Sequence, residues 1–216
     1  MRLIDSVDAV IFDLDGTLLD TAEGIVKSIE YTISYFNYPM ISKHKMLTFI
    51  GPPIRDSLKN EFNLTDSEAD LATNVFRDRY KEHDLFSAKP YPDVFNLLKF
   101  ISENGKGLGI ATYKREDYAI KIAEHFRLTD YCTCIKGADS ANVNTKKDIL
   151  ANCIEELAVD CRKVLYIGDS ESDANAALSL NAKFIGVSYG YGFKLGETSS
   201  EFNILISLNE ILKDLN

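Results

Sequence analysis

Val10-Ile11-Phe12-Asp13-Leu14-Asp15-Gly16-Thr17-Leu18-Leu19-Asp20 decides the reading of this chain. A short apolar run, the signature of a buried strand, ends in two carboxylates two positions apart. Two such aspartates cannot both sit ionised and unpaired without strong repulsion, so the site needs a cation, a shared proton or open water between them. Taken alone, the segment also fits an Asp-rich turn in which Gly16 supplies a positive φ. The rest of the chain has to decide between the two.

Three further apolar runs, Gly109 to Ala111, Val164 to Ile167 and Phe184 to Val187, read as strands. Helical spacing fills the gaps between them: Ala119, Ile122, Ala123 and Phe126 share one face of Tyr118 to Phe126, and Ile149, Cys153, Ile154 and Leu157 share one face of Asp148 to Leu157. This alternation predicts an α/β fold, a Rossmann-like, doubly wound parallel sheet in a three-layer α/β/α arrangement. Such sheets bind ligands beyond the carboxyl ends of their strands, which singles out Asp13, Thr112, Gly168 and Asp169.

Residues 21–83 break the rhythm, with helical patterns and no buried strand. The spacing predicts a helix from about Ala22 to Phe36, ended by Asn37-Tyr38-Pro39, and a second helical part around Asp66 to Tyr80. The expected division is a sheet core of residues 1–20 and 84–216 with an inserted helical subdomain at 21–83. Asp20-Thr21 and the stretch Phe86 to Pro90, stiffened by proline, are its expected hinges.

Composition narrows the classes. With 216 residues, 45% hydrophobic and 26% charged, the chain can bury roughly 70% of its unfolded surface without staples. A net charge of −9 argues against nucleic acid as the main partner, because binding a phosphate backbone normally needs a basic surplus. Cys132, Cys134, Cys153 and Cys161 lack zinc spacing and read as free thiols. No stretch approaches eighteen consecutive apolar residues, and Met1 to Asp8 carry no signal-peptide apolar region, so the expectation is a cytoplasmic protein without a membrane partner.

Four separated segments fit one constellation: Asp13-Leu14-Asp15-Gly16-Thr17, Gly109-Ile110-Ala111-Thr112, Lys146 within Asn144 to Asp148, and Gly168-Asp169-Ser170-Glu171-Ser172-Asp173. In order and strand context the chain resembles the haloacid dehalogenase-like phosphohydrolase superfamily, over nearly its whole length. The segment Phe49-Ile50-Gly51-Pro52-Pro53-Ile54-Arg55-Asp56-Ser57-Leu58 resembles the helical cap of its phosphoglycolate phosphatase and 5'-nucleotidase branch.

The resemblance implies Asp13 as nucleophile, forming an aspartyl-phosphate, and Asp15 as general acid and then base. Relatives with dehalogenase or phosphonatase chemistry typically lack an aspartate at the position of Asp15. The resemblance further implies a Mg²⁺ held by Asp13, Asp169 and the main-chain carbonyl of Asp15, with Asp173 direct or through water. Lys146 would neutralise the nucleophile, with Lys147 as the alternative lysine, while Gly16, Thr112 and Tyr113 would lie around the phosphate. Tyr113 stands where many relatives have Asn or Ser. Arg55 either faces a second anionic group on the substrate or lies in solvent.

Other readings stay open for some of these residues. Asp169 and Asp173 can serve as helix N-caps. His44, His83 and His125 have no matched partners, and Tyr189 to Phe193 resembles the Gly-rich loop after the last core strand. The expected activity is hydrolysis of small phosphate monoesters such as phosphoglycolate. A nucleotide 5'-monophosphatase comes next, then a phosphosugar mutase, which usually carries Val where this chain has Thr17, then a non-catalytic binding protein. The partner implied is a small phosphorylated metabolite; oligomeric state is left open.

Overall fold

The computed structural model describes residues 2–139 and 143–215. Its centre is β1, Ala9–Phe12, four residues all fully buried. Val10 and Phe12 turn to one face of the sheet, where they join the apolar sides of α5 (Val94–Glu103), α6 (Glu116–His125) and α9 (Leu208–Leu215). Ala9 and Ile11 turn to the other, against α7 (Lys146–Glu156) and α8 (Glu171–Ser179). A strand buried on both sides reads as one continuous apolar run, with the two-residue alternation hidden inside it.

The sheet has six strands in the order β5-β4-β1-β6-β7-β8, all parallel, with β4 at Gly107–Arg115, β5 at Cys134–Ala138, β6 at Val164–Gly168, β7 at Lys183–Val187 and β8 at Asn203–Leu205. The chain runs outward from β1 to β4 and β5 on one side and to β6, β7 and β8 on the other. β1 therefore lies at the switch point of the topology, and the carboxyl ends of β1, β4 and β6 converge there.

Between β2 (Leu19–Asp20) and β3 (Lys89–Pro90) the chain forms α1 (Ala22–Phe36), α2 (Lys43–Leu47), α3 (Ile54–Phe62) and α4 (Asp66–Arg79), then a π-helical turn at Tyr80–Asp84. α1 ends at Asn37 in the left-handed conformation, φ 55°, as a C-terminal Asn can. Thr65 and Glu68 close a capping box at the start of α4. The two stretches expected as hinges pair with each other: Leu19 and Asp20 form an antiparallel ribbon with Pro90 and Lys89, and Gly24 N–H donates to Ser87 O at 3.0 Å. Ile25, Ile29, Leu58 and Phe76 from these helices join the same buried cluster as one face of the sheet.

β5 and β8 were not apparent from the sequence. Lys136 and Gly137 interrupt the apolar run of β5, and β8 is a three-residue edge strand with little buried surface. Asn181, after α8, takes the left-handed conformation at φ 57°, the role in which glycine is the common residue. Among the described residues no helix is long and apolar enough to cross a membrane.

Candidate active site

Asp13 is the first residue beyond β1, and its N–H donates to Ile167 O of β6 at 2.8 Å. The sheet's own ladder thus holds the carboxylate next to the end of β6. The chain then folds sharply: Leu18 and Leu19 N–H both donate to Leu14 O at 3.0 Å, and Gly16 N–H donates to Leu19 O at 2.9 Å. Gly16 sits at φ +83°, and a Cβ there would overlap the Asp169 carboxylate. Its glycine is required by turn geometry and close approach. The expectation that Gly16 contacts phosphate is corrected on this point, since its N–H is already used and it does not line the cavity.

Lys146 opens α7 behind Thr145, whose hydroxyl accepts from Asp148 N–H while the Asp148 carboxylate accepts from Thr145 N–H. The Tyr113 hydroxyl accepts from Lys146 N–H at 2.9 Å, fixing the start of the helix from β4. Held this way, Lys146 Nζ lies 2.6 Å from Asp13 Oδ1 and 2.9 Å from Asp173 Oδ1. Lys147 is exposed. Burial opposes the charge on Lys146, but Asp13 and Asp173 outweigh it and hold the ammonium above its ordinary range.

Asp173 has a double role that neither sequence reading contained alone. Its Oδ2 accepts from Ser170 N–H at 3.1 Å and from the Ser170 hydroxyl at 2.6 Å, completing the capping box of α8. Its Oδ1 faces Lys146 and the Tyr166 hydroxyl, the latter at 3.1 Å. Tyr166 is wholly buried, with its hydroxyl 2.7 Å from Ala111 O. No sequence signal marks Tyr166 as part of the site, because a tyrosine inside an apolar strand looks like core.

Asp169 follows β6. Its Oδ2 accepts from the N–H groups of Tyr191, at 2.6 Å, and Gly192, at 3.2 Å. Asp13, Asp169 and Asp173 bring one carboxylate oxygen each within 4.8 Å of one another. Burial raises the proton affinity of Asp13 to about 7, with Asp173 and Asp15 adding to it against Lys146. Asp169 is pushed well above the usual carboxylate range by burial and then by Asp173 and Asp13. Asp13 and Asp173 share the Lys146 ammonium while Asp169 has only backbone N–H donors among the described residues, and an all-oxygen donor set with this surplus of negative charge suits a hard divalent cation.

The Asp15 side chain has a different partner from this trio. Its Oδ1 lies 3.0 Å from Lys114 Nζ, and Lys114 also donates to the Tyr80 hydroxyl at 2.9 Å. Lys114 was not among the expected site residues, although the sequence matches a lysine frequent in relatives at this position, two residues after Thr112. The Thr112 hydroxyl accepts from Lys114 N–H at 3.2 Å.

Asp13, Asp15, Thr112, Tyr113, Lys146 and Asp169 all line a cavity of about 480 Å³, closed on the opposite side by Thr48 and Ile50 to Pro53. Arg55 is absent from that lining. Its Nε donates to Asp70 Oδ1 at 2.6 Å and its Nη2 to Asp66 Oδ1 at 2.9 Å, so the expectation that it faces a second anionic group is corrected: it braces α3 against α4. His44, His83 and His125 line neither this cavity nor its smaller neighbour.

A doubly wound parallel sheet with buried acids at its switch point defines a Rossmann-like α/β protein with an acidic site at the carboxyl ends of its strands. The chain belongs to the haloacid dehalogenase-like hydrolase family, whose model matches residues 10–187. It is 30% identical over 188 residues to a phosphoglycolate phosphatase of Agrobacterium fabrum, covering 84% of this chain and 80% of that one. It is 28% identical over 184 residues to a 5'-nucleotidase of Pseudomonas aeruginosa, covering 85% and 83%. The crystal structure of a predicted phosphatase from Clostridium acetobutylicum superposes with a TM-score of 0.89 at 32% identity, over 97% of this chain and 98% of that one. The protein is a phosphoric monoester hydrolase of this family.

Proposed function

We propose that this hydrolase is a Mg²⁺-dependent phosphatase of small phosphate monoesters, phosphoglycolate-like in its first substrate class, working through an aspartyl-phosphate on Asp13. The observation that carries the reading is the division of partners between two neighbouring acids: Asp13 with Lys146 at 2.6 Å, Asp15 with Lys114 at 3.0 Å. In the first step an Asp13 oxygen bonds to phosphorus as the ester P–O bond breaks, and Asp15, which must first take up a proton, delivers it to the leaving oxygen. In the second, a water oxygen bonds to phosphorus, Asp15 takes back a proton, and the bond from Asp13 to phosphorus breaks.

Lys146 and the Thr112 hydroxyl stand where they can hold phosphoryl oxygens through both steps. Asp13, Asp169 and the main-chain carbonyl of Asp15 would hold Mg²⁺, with Asp173 directly or through water; when bound, the ion supplies the charge neutralisation that lets a carboxylate approach a phosphate dianion. Residues 21–83 act as a cap that excludes water from the cavity. Four free cysteines and the acidic net charge support a cytoplasmic enzyme whose partner is a small phosphorylated metabolite and not a nucleic acid.

A second reading, hydrolysis of nucleoside 5'-monophosphates, is favoured by the size of the 480 Å³ cavity and by Tyr113, Tyr191 and Phe193 in its wall, which offer aromatic faces to a base. The test is phosphate release from a panel of monoesters with and without Mg²⁺, with Asp13→Asn as control. Isomerisation of a hexose 1-phosphate without free phosphate would replace both readings by a mutase. No release from any ester would leave a binding protein.

A further inference from the structure

A second, smaller cavity of about 90 Å³ adjoins the first, sharing with it Asp15, Tyr113, Lys114 and the segment Ile50 to Pro53. The two differ in charge. The large one is lined by Asp13, Asp15, Asp169, Glu171 and Glu197 against Lys114 and Lys146. The small one is lined by Arg77, Lys114 and Arg115 against Asp15 alone, in a chain whose net charge is −9.

The cations of the small cavity are not equally satisfied. Lys114 is paired with Asp15. Arg115 holds Asp117 in a two-pronged pair, at 2.5 and 2.6 Å, with its guanidinium 4.2 Å from the centre of the Tyr118 ring. Arg77, near the end of α4, has no ion-pair partner within 4.0 Å among the described residues. Burial and the neighbouring Arg115 work against its charge, offset in part by Tyr118 and Asp117. Tyr80, buried beside it, accepts from Lys114, and its own proton has no acceptor among the described residues. A cation partly withdrawn from water beside another cation and an unused donor is an arrangement that an anion relieves.

We propose that Arg77, with Arg115, Lys114 and the Tyr80 hydroxyl, forms a second-anion subsite between the helical insert and the core, which takes a carboxylate or second phosphate of the substrate. The inference rests on the phosphatase reading and deepens it: the preferred esters carry a second anionic group on the leaving side. Its cations suit one oxyacid group. The subsite also supplies the second-anion recognition that Arg55, committed to Asp66 and Asp70, does not.

The test compares 2-phosphoglycolate with ethyl phosphate, which lacks the carboxylate, in the full chain with Mg²⁺. The expected kcat/KM is at least about tenfold higher for 2-phosphoglycolate, and Arg77→Met lowers that ratio about tenfold or more, the range for a charge-assisted hydrogen bond. Arg77→Lys restores part of it, and Arg55→Met leaves it unchanged. A wild-type enzyme without the preference, or a ratio that Arg77→Met does not move, overturns the subsite. Faster hydrolysis of ethyl phosphate on adding acetate supports the subsite but makes a free anion its ligand.

If neither ester is hydrolysed, the phosphatase reading fails separately, and calorimetric titration with 2-phosphoglycolate decides the subsite. Binding to Asp13→Asn that weakens about tenfold when Arg77→Met is added supports it. Equal affinity, or no binding, overturns it.

Discussion

The backbone N–H of Tyr191 donates to Asp169 Oδ2 across 2.6 Å, and the same residue's hydroxyl reaches the neck of the helical insert. That hydroxyl donates to Asp20 Oδ1 at 2.7 Å and accepts from the N–H groups of Thr21 and Ala22 at 2.8 and 3.0 Å. Thr21 makes no side-chain cap for α1, so a residue about 170 positions away does it instead. The Gly-rich loop therefore joins an acid of the candidate metal site to the base of the helical insert. Close packing enforces the joint: a Cβ on Gly190 or Gly192 would overlap Asp169.

Tyr191→Phe removes the hydroxyl and keeps the N–H that holds Asp169. The expected result is a fall in kcat/KM of about tenfold from misplacement of the cap, with the Mg²⁺ concentration for half-maximal rate unchanged. The Thr21 and Ala22 amides lose a partner, so stability falls by about 1–2 kcal/mol. Kinetics across a Mg²⁺ series and a urea melt check both parts.

Asp13→Asn removes the proposed nucleophile, and the rate is expected to fall at least ~10³-fold. Stability should move the other way or stay level in metal-free protein, because the change removes a buried charge that its surroundings disfavour while Asp173 still pairs with Lys146 at 2.9 Å. Phosphate release and a thermal melt in EDTA measure the two effects on one preparation.

The acid trio also sets a pH dependence. The folded-state proton affinity of Asp13 is raised to about 7 from an unfolded value near ~3.9, and that of Asp169 is raised too. A raised carboxylate contributes stability that is present below its unfolded pKa and lost as pH rises through the folded one. Metal-free protein should therefore have a lower Tm at pH 8 than at pH 5.5. Saturating Mg²⁺ should raise Tm more at pH 8, where the carboxylates are ionised and bind it. Asp13→Asn should flatten the metal-free profile. Differential scanning fluorimetry with EDTA or Mg²⁺ at both pH values reads all three.

Much of this site was legible because its acids sit at places that sequence pattern marks. Asp13 and Asp169 each follow an apolar run, and Lys146 follows a Thr that opens a helix. Partnerships between distant segments were not legible. Arg55 is claimed by Asp66 and Asp70, 11 and 15 positions on, a choice fixed by how α3 packs on α4. Arg77 acquires its setting only when α4 meets the start of α6. Lys136 of β5 pairs with Glu156 of α7, which explains how a charged residue sits in a strand that its sequence hides.

Tyr166→Phe tests how far the proposed catalytic lysine, Lys146, depends on residues outside the cavity wall. The phenol bridges Ala111 O and Asp173 Oδ1 at 2.7 and 3.1 Å, and Asp173 in turn positions Lys146. Without the hydroxyl, the buried Ala111 carbonyl and the carboxylate each lose a neighbour, at a stability cost of about 1–3 kcal/mol. Because Lys146 keeps its direct contact with Asp13 at 2.6 Å, kcat should fall only about tenfold, far less than for Lys146→Met. A loss as large as that of Lys146→Met would mean that Tyr166 and Asp173, rather than Asp13, hold the ammonium in place. Measuring kcat for the two variants at saturating substrate separates these outcomes.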